Sequence, residues 1–514
     1  MDGNHQESDH DRWQDGYPER LSEGQPPFSK GSRRTTESAE ENRDTRPPLI
    51  DFVALEIVIP PALDRILRET PALSEAFLVG GCVRDALLGL PAKDVDIEVF
   101  GLTYEELLGA LDRWGRTDLV GRSFGVVKVT VGNGETYDFT VPRRDSKVGS
   151  GHQGFVVEFD PALTHREAAS RRDFTINSLM YDPRRRELLD FFGGEADLHS
   201  RILRHTSSAF SEDALRVLRG MQFAGRFNLV GAPETLSLCQ AMVSSHDELP
   251  LERIEWEWVK WAAKSTKPSR GLEWLRDSGW ILHYPEIAAL MNAAQDAEWH
   301  PEGDVFTHTG HCCDAMATLQ DWRSASEKDR VAYMLAILTH DFGKPTTTLE
   351  VWREGRQRIT SPGHEAAGVG IAARFLERIH IPGTIRERVL PLVANHMVTG
   401  DVWTERAVRR LARRLQPDNI DGLCLIMTAD ASGRPPLPPQ RPATVIELQR
   451  MAENLAVHRG PPEPIIMGRH LLNDGWKPSP EMGRVLQLAY EAQLEGCFET
   501  LDGAKQWIAR RSDQ

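Results

Sequence analysis

Apolar and polar positions change period along the chain. Phe77-Leu78-Val79 is a short apolar run closed by Gly80-Gly81, and Val83 to Leu88 carries helical spacing. Asp94 to Phe100 alternates polar and apolar, as a half-buried strand does. Val126 to Val131 and Thr136 to Val141 flank Gly132-Asn133-Gly134, which predicts a hairpin. Beyond residue 183 strand signals fade. Helical spacing covers Asp213 to Phe227, Arg253 to Lys264, Val331 to Leu338 and repeated segments over 364–434. The run Arg434-Pro435-Pro436-Leu437-Pro438-Pro439 reads as a linker, and helical spacing resumes after it. Residues 1–48 are polar and poor in aliphatics, so they cannot bury enough apolar surface to offset ordering entropy. We read them as a disordered leader.

Composition narrows the class. The 514 residues are 40% hydrophobic, enough for several cores. No apolar run reaches the ~20 residues a membrane span needs, and the polar, acidic start lacks the apolar core of a signal peptide. These features predict a cytoplasmic protein without membrane contact. Six cysteines without a CxxC pair indicate reduced thiols rather than a disulfide framework or zinc ribbon. The formal net charge of −15 weighs against a uniformly basic nucleic-acid binder. Basic clusters persist locally. Arg406, Arg409, Arg410, Arg413 and Arg414 fall largely on one side of a helix, facing either phosphates or acids elsewhere in the chain. Arg143, Arg144 and Lys147 follow the predicted hairpin in what reads as a loop.

The strongest chemical signal is Gly80-Gly81-Cys82-Val83-Arg84-Asp85 followed by Lys93-Asp94-Val95-Asp96. Side chains alternate faces on a strand, so Asp94 and Asp96 point the same way while Val95, Ile97 and Val99 point inward. Two carboxylates that close repel unless a cation lies between them, and a hard ion such as Mg²⁺ suits oxygen ligands. Glu98 and Asp138 are further candidates. Gly80 and Gly81 precede a helix start, where backbone amides favour an anion, and Arg84 one turn in adds positive charge. Asp213, Arg216 and Arg219 recur at helical spacing and present acceptors beside forked donors, either to a base edge or to one another.

The segment FLVGGCVRDALLGLPAKDVDIEVFG resembles the signature of class II tRNA nucleotidyltransferases (CCA-adding enzymes) and bacterial poly(A) polymerases, within the polymerase-β-like superfamily. Ser170-Arg171-Arg172-Asp173-Phe174-Thr175-Ile176-Asn177 and Ser211-Glu212-Asp213-Ala214-Leu215-Arg216-Val217-Leu218-Arg219 extend the resemblance over roughly 75–230. It implies that Asp94 and Asp96 hold Mg²⁺. Gly80, Gly81, Arg84 and Arg172 would bind triphosphate, with Asp173 supporting the site, though either Arg171 or Arg172 could instead pair with Asp173. Asp213, Arg216 and Arg219 would select CTP and ATP without a template.

A second constellation spans 308–430. His340-Asp341 ends an apolar helix, and both residue types are metal ligands. The order resembles HD-domain metal phosphohydrolases. By that resemblance His308, His340, Asp341 and Asp430 hold a divalent transition metal, and His364 and His396 hold a second or contact phosphate. Trimming of damaged 3′ ends is the implied activity, and an inactive scaffold is the alternative.

The predicted fold class is α+β: a nucleotidyltransferase head (49–182), then an all-α neck (183–300), HD domain (301–434) and C-terminal tail (435–514). The expected reaction adds C and A from CTP and ATP to the 3′ end of tRNA, with no DNA partner. The rivals are a poly(A) polymerase, a CC-only or A-only enzyme, and an HD-type hydrolase acting on RNA ends.

Overall fold

The computed structural model describes residues 57–91, 94–118, 125–132, 134–147, 155–353, 355–398 and 403–512. The predicted leader, Lys93 and Asn133 lie outside them.

Nine strands form in the first part of the chain: β1 (Ala76–Val79), β2 (Asp96–Val99), β3 (Arg116–Asp118), β4 (Val126–Thr130), β5 (Thr136–Thr140), β6 (Arg143–Lys147), β7 (Phe155–Phe159), β8 (Met180–Asp182) and β9 (Glu187–Leu189). Seven of them make one mixed sheet in the order β3-β4-β5-β2-β1-β8-β9, while β6 and β7 pair separately. Arg143, Arg144 and Lys147 therefore lie on a strand rather than in the expected loop. Lys147's side chain is outside the described part.

Alternation on β2 divides the sheet's faces. Ile97 and Val99 are fully buried in the main core with Leu78, Val127 and Phe139. The opposite face carries Asp96 and Glu98 beside a small cluster of Phe77, Val79, Phe100, Ala169 and Met180. Asp94 sits just before the strand rather than within it. β2 runs parallel to β5 and antiparallel to β1.

Helices dominate after β9. Leu215–Phe227 packs on Leu251–Lys264 and Pro268–Asp277, and Asn228 ends it in the left-handed conformation (φ 54°) that Asn tolerates. Val305–Thr318, Glu327–Thr339, His364–Arg378, Gly383–Asn395 and Ile420–Ser432 form a further helical body. Strands are not lost there: Leu349–Arg353 pairs antiparallel with Arg356–Thr360. One continuous apolar core extends from Leu63 to Val457. The Pro-rich run does not end it, since Val445, Leu448 and Ala452, which follow that run, still belong to the same core. A second, small core of Ile466, Leu471, Ala489, Ala492, Phe498, Ala504 and Ile508 closes the chain.

Candidate active site and metal centre

A cleft of about 920 Å³ opens where the sheet meets the 215–227 helix. Gly80, Gly81, Arg84, Asp94, Asp96, Arg172, Asp173, Asp213, Arg216 and Arg219 all line it. Residues far apart in sequence, from the Gly80 turn to Arg219, are thus brought to one concavity.

Gly80 has φ 72° and ψ −127°, a conformation open essentially to glycine, and it turns the chain from β1 into the helix Gly81–Leu87. Asp96 leaves the end of β2 in register with Asp138 on β5. Asp96 is exposed to the cleft, and its carboxyl is pushed above the usual range by the desolvation its walls impose and by Asp138, Asp94 and Glu98, against the pull of Arg172. Crowded carboxylates of this kind fit a divalent cation with oxygen ligands. Asp138 is itself met by Lys128 at 3.0 Å, and Glu98 accepts from Arg172 Nη2 at 3.2 Å.

The arginines differ in what holds them. Arg84 is buried, bonded to Asp85 (2.6 and 2.8 Å) and to Asn177, with its guanidinium 4.3 Å from the Phe227 ring centroid. It is part of the wall rather than a side chain reaching into the cleft. Arg172 lies against Gly80. Arg216 donates to the carbonyls of Ala209 (2.7 Å) and Arg171 (2.8 Å). Asp213 precedes the helix and meets Arg253 at 3.1 Å. Asp173 pairs instead with Arg219, at 2.6 Å.

The histidines converge in the helical body. His308 and His340 are essentially inaccessible, as is Asp341. The Nδ1 atoms of His340, His364 and His396 each lie 2.7 Å from a backbone carbonyl, of Ile337, Ser361 and Val393 respectively. His308 Nδ1 lies 2.7 Å from the Glu302 carboxylate. With these Nδ1 atoms assigned as donors, all four Nε2 atoms present lone pairs inward. Those lone pairs face other acceptors. His340 Nε2 is 3.1 Å from Asp341 Oδ2, His364 Nε2 is 3.1 Å from His396 Nε2 and 3.3 Å from Asp341 Oδ1, and His308 Nε2 is 3.2 Å from Asp430 Oδ1. One extra proton relieves one such contact. Ligand atoms of Asp341, His364 and His396 lie within 4.8 Å of one another, and so do those of His308, Cys312, His340 and Asp430, an arrangement that fits two cations.

Sequence reasoning missed Glu302, Cys312, Lys344 and Arg434. Glu302 orients His308, Lys344 Nζ reaches Asp341 at 2.7 Å, and Arg434 meets Asp430 at 3.0 Å. His-Asp adjacency marked the centre, but these partners come from elsewhere on the fold.

A family model for the poly A polymerase head domain matches residues 76–204, and one for the HD domain matches 305–431. A multifunctional CCA protein from Xanthomonas campestris pv. campestris (strain B100) is 35% identical over 437 residues, covering 81% of this chain and 97% of that protein. The chain belongs to the family of CCA-adding tRNA nucleotidyltransferases. Among solved structures, the Bacillus stearothermophilus CCA-adding enzyme in complex with CTP aligns at TM-score 0.60 and 19% identity, over 88% of this chain and 98% of that one. The Thermotoga maritima CCA-adding enzyme complexed with tRNA aligns at TM-score 0.53 and 17% identity, over 89% and 97%. The fold of this family member is therefore a polymerase-β-like head with an HD domain. Among the described residues no helix is long and apolar enough to cross a membrane.

Proposed function

We propose that this CCA-adding family member attaches C and A from CTP and ATP to the 3′ end of tRNA, releasing pyrophosphate. The observation that carries the reading is one cleft lined by Asp94 and Asp96, the Gly80–Gly81 turn, and Asp213 with Arg216. Asp94 and Asp96 would hold Mg²⁺, which supplies charge neutralisation for an in-line displacement at phosphorus. The Gly81 helix start and Arg172 receive the triphosphate. Arg84 keeps that turn in shape from within the wall. Asp213 and Arg216 offer an acceptor and donors to the edge of a base, and Arg219 braces them through Asp173. Such an enzyme meets tRNA, CTP and ATP in the cytoplasm, the compartment we assign, and DNA has no part in the reaction.

The test is incorporation of labelled CTP and ATP, each offered with tRNA lacking its 3′ end. Addition of both in order supports the reading, and Asp96→Ala should abolish it. ATP incorporation alone on any RNA would make the protein a poly(A) polymerase, and C alone or A alone a partial enzyme.

A second activity is favoured by the lone pairs gathered around Asp341. His308, His340, Asp341 and Asp430 would hold one divalent transition metal, with His364 and His396 on a second metal or on phosphate. The metal would supply an activated water for phosphoester hydrolysis at RNA 3′ ends, including 2′,3′-cyclic phosphates. Asp96→Ala should leave this hydrolysis intact.

A further inference from the structure

Cys312 has no part in either activity, yet it lies inside the histidine cluster. It is fully buried on the helix Val305–Thr318, one turn after His308, so the two side chains share a face. Its Sγ is 3.3 Å from His308 Nε2. Ligand atoms of His308, Cys312, His340 and Asp430 all fall within 4.8 Å of one another. Tetrahedral zinc, with bonds of about 2.0–2.1 Å to nitrogen and about 2.3 Å to sulfur, sets neighbouring ligands roughly 3.3–3.7 Å apart, so the observed contact fits one edge.

A further observation points to a ligand here: His340 Nε2 is buried and makes no hydrogen bond. The neighbouring Cys313 is equally buried but is not in the group.

We propose that Cys312 is a ligand of the metal position formed by His308, His340 and Asp430, and that its sulfur makes this position select a thiophilic divalent ion over Mg²⁺. The inference rests on the metal-binding assignment of the histidine cluster. On loading, the thiol gives its proton to solvent and the thiolate takes a place in the coordination shell, where soft sulfur favours zinc, cobalt or nickel.

The full chain, stripped with chelator and reloaded with Co²⁺, tests this. The wild type should show the near-ultraviolet sulfur-to-cobalt charge-transfer band. Cys312→Ser should bind cobalt without the band, while Cys313→Ser and Cys497→Ser keep it. Zinc affinity of Cys312→Ser should fall at least about tenfold, the loss that even an outer-shell partner costs, with Mg²⁺ affinity unchanged. X-ray absorption of the zinc-loaded wild type should find one sulfur at about 2.3 Å, which needs no variant to fold. Bound metal without a sulfur neighbour overturns the role of Cys312 alone. No cobalt or zinc bound by the wild type overturns the metal assignment with it.

Discussion

Arg219 Nη2 lies 2.6 Å from Asp173 Oδ2, an ion pair between a buried carboxylate and a half-buried guanidinium 46 positions apart. Asp173 also accepts from the Phe174 amide (2.8 Å) and Asn177 Nδ2 (2.9 Å), and Asn177 in turn accepts from Arg84. A polar chain therefore runs from the Gly80–Gly81 turn to the 215–227 helix. Burial opposes the Asp173 charge, but Arg219 and Asn177 outweigh it and hold the carboxyl below its usual value of 3.8. The folded pKa is depressed, so the stability it contributes is present above about pH 4 and lost as pH falls through the folded value. Asp173→Ala leaves the Phe174 amide, Asn177 and the half-buried Arg219 guanidinium without their acceptor and should cost about 1–3 kcal/mol in urea unfolding at pH 7. The deficit should shrink on acidification, as the wild type loses the same interaction.

Gly80→Ala tests the turn itself. Its backbone conformation costs an L residue about 1–3 kcal/mol, and the new Cβ would lie 2.8 Å from Arg172 Nη1. The guanidinium can swing away, so the fold should survive. Displacing it from the turn should raise KM for CTP and ATP more than it lowers kcat, as steady-state incorporation kinetics will show.

Asp96 behaves in the opposite sense to Asp173. Its folded carboxyl sits above the usual range, so its ionised form costs stability at neutral pH. Asp96→Asn should therefore melt no lower than the wild type when both are free of metal. Incorporation should fall at least about a hundredfold, the order that one lost electrostatic stabiliser produces. Mg²⁺ at about a hundred times its Kd should stabilise the wild type by about 2.7 kcal/mol and leave the variant unmoved. Thermal melts with and without Mg²⁺ separate these outcomes.

What could be read from the chain followed local periodicity. The alternation Asp96-Ile97-Glu98-Val99 and the glycines before Arg84 are short-range signals, and the sheet carries them as expected apart from Asp94, which precedes the strand. The pairing of Asp173 with Arg219 was not legible, because two arginines adjacent to Asp173 offered a nearer partner. The hairpin Leu349–Arg353 and Arg356–Thr360 was hidden for another reason. Neither strand is buried on either face, so no hydrophobic alternation marks it. The arginine-rich helix left two partners open. Arg406 and Arg410 meet Glu495, and Arg413 meets Glu491, because helix Pro480–Leu494 ends with these acids spaced one turn apart.

Those contacts give the small C-terminal core an ionic attachment. Exposed pairs contribute at most about 1 kcal/mol each and are screened by salt. Glu491→Ala with Glu495→Ala should lower global stability little. It should make the 456–465 segment cleavable at protease concentrations that spare the wild type, and raising salt should produce the same cleavage in the wild type.

His340→Ala distinguishes the two centres. Without metal, His340 Nε2 lies 3.1 Å from the Asp341 carboxylate, which, against burial, His340 and Lys344 hold well below its usual range, so removing the imidazole loses a favourable contact and opens a cavity. The metal-free melting temperature should fall. With metal the gap widens, because a ligand is gone and binding free energy adds to folding free energy only where the site is complete. Zinc should therefore raise the wild-type melting temperature and barely move the variant, and chelator should return the gap to its metal-free size. Hydrolysis of 2′,3′-cyclic phosphates should disappear while CTP and ATP incorporation persists, since His340 does not line the cleft that holds Asp94 and Asp96. Loss of both activities together in a folded variant would mean that the two centres work as one.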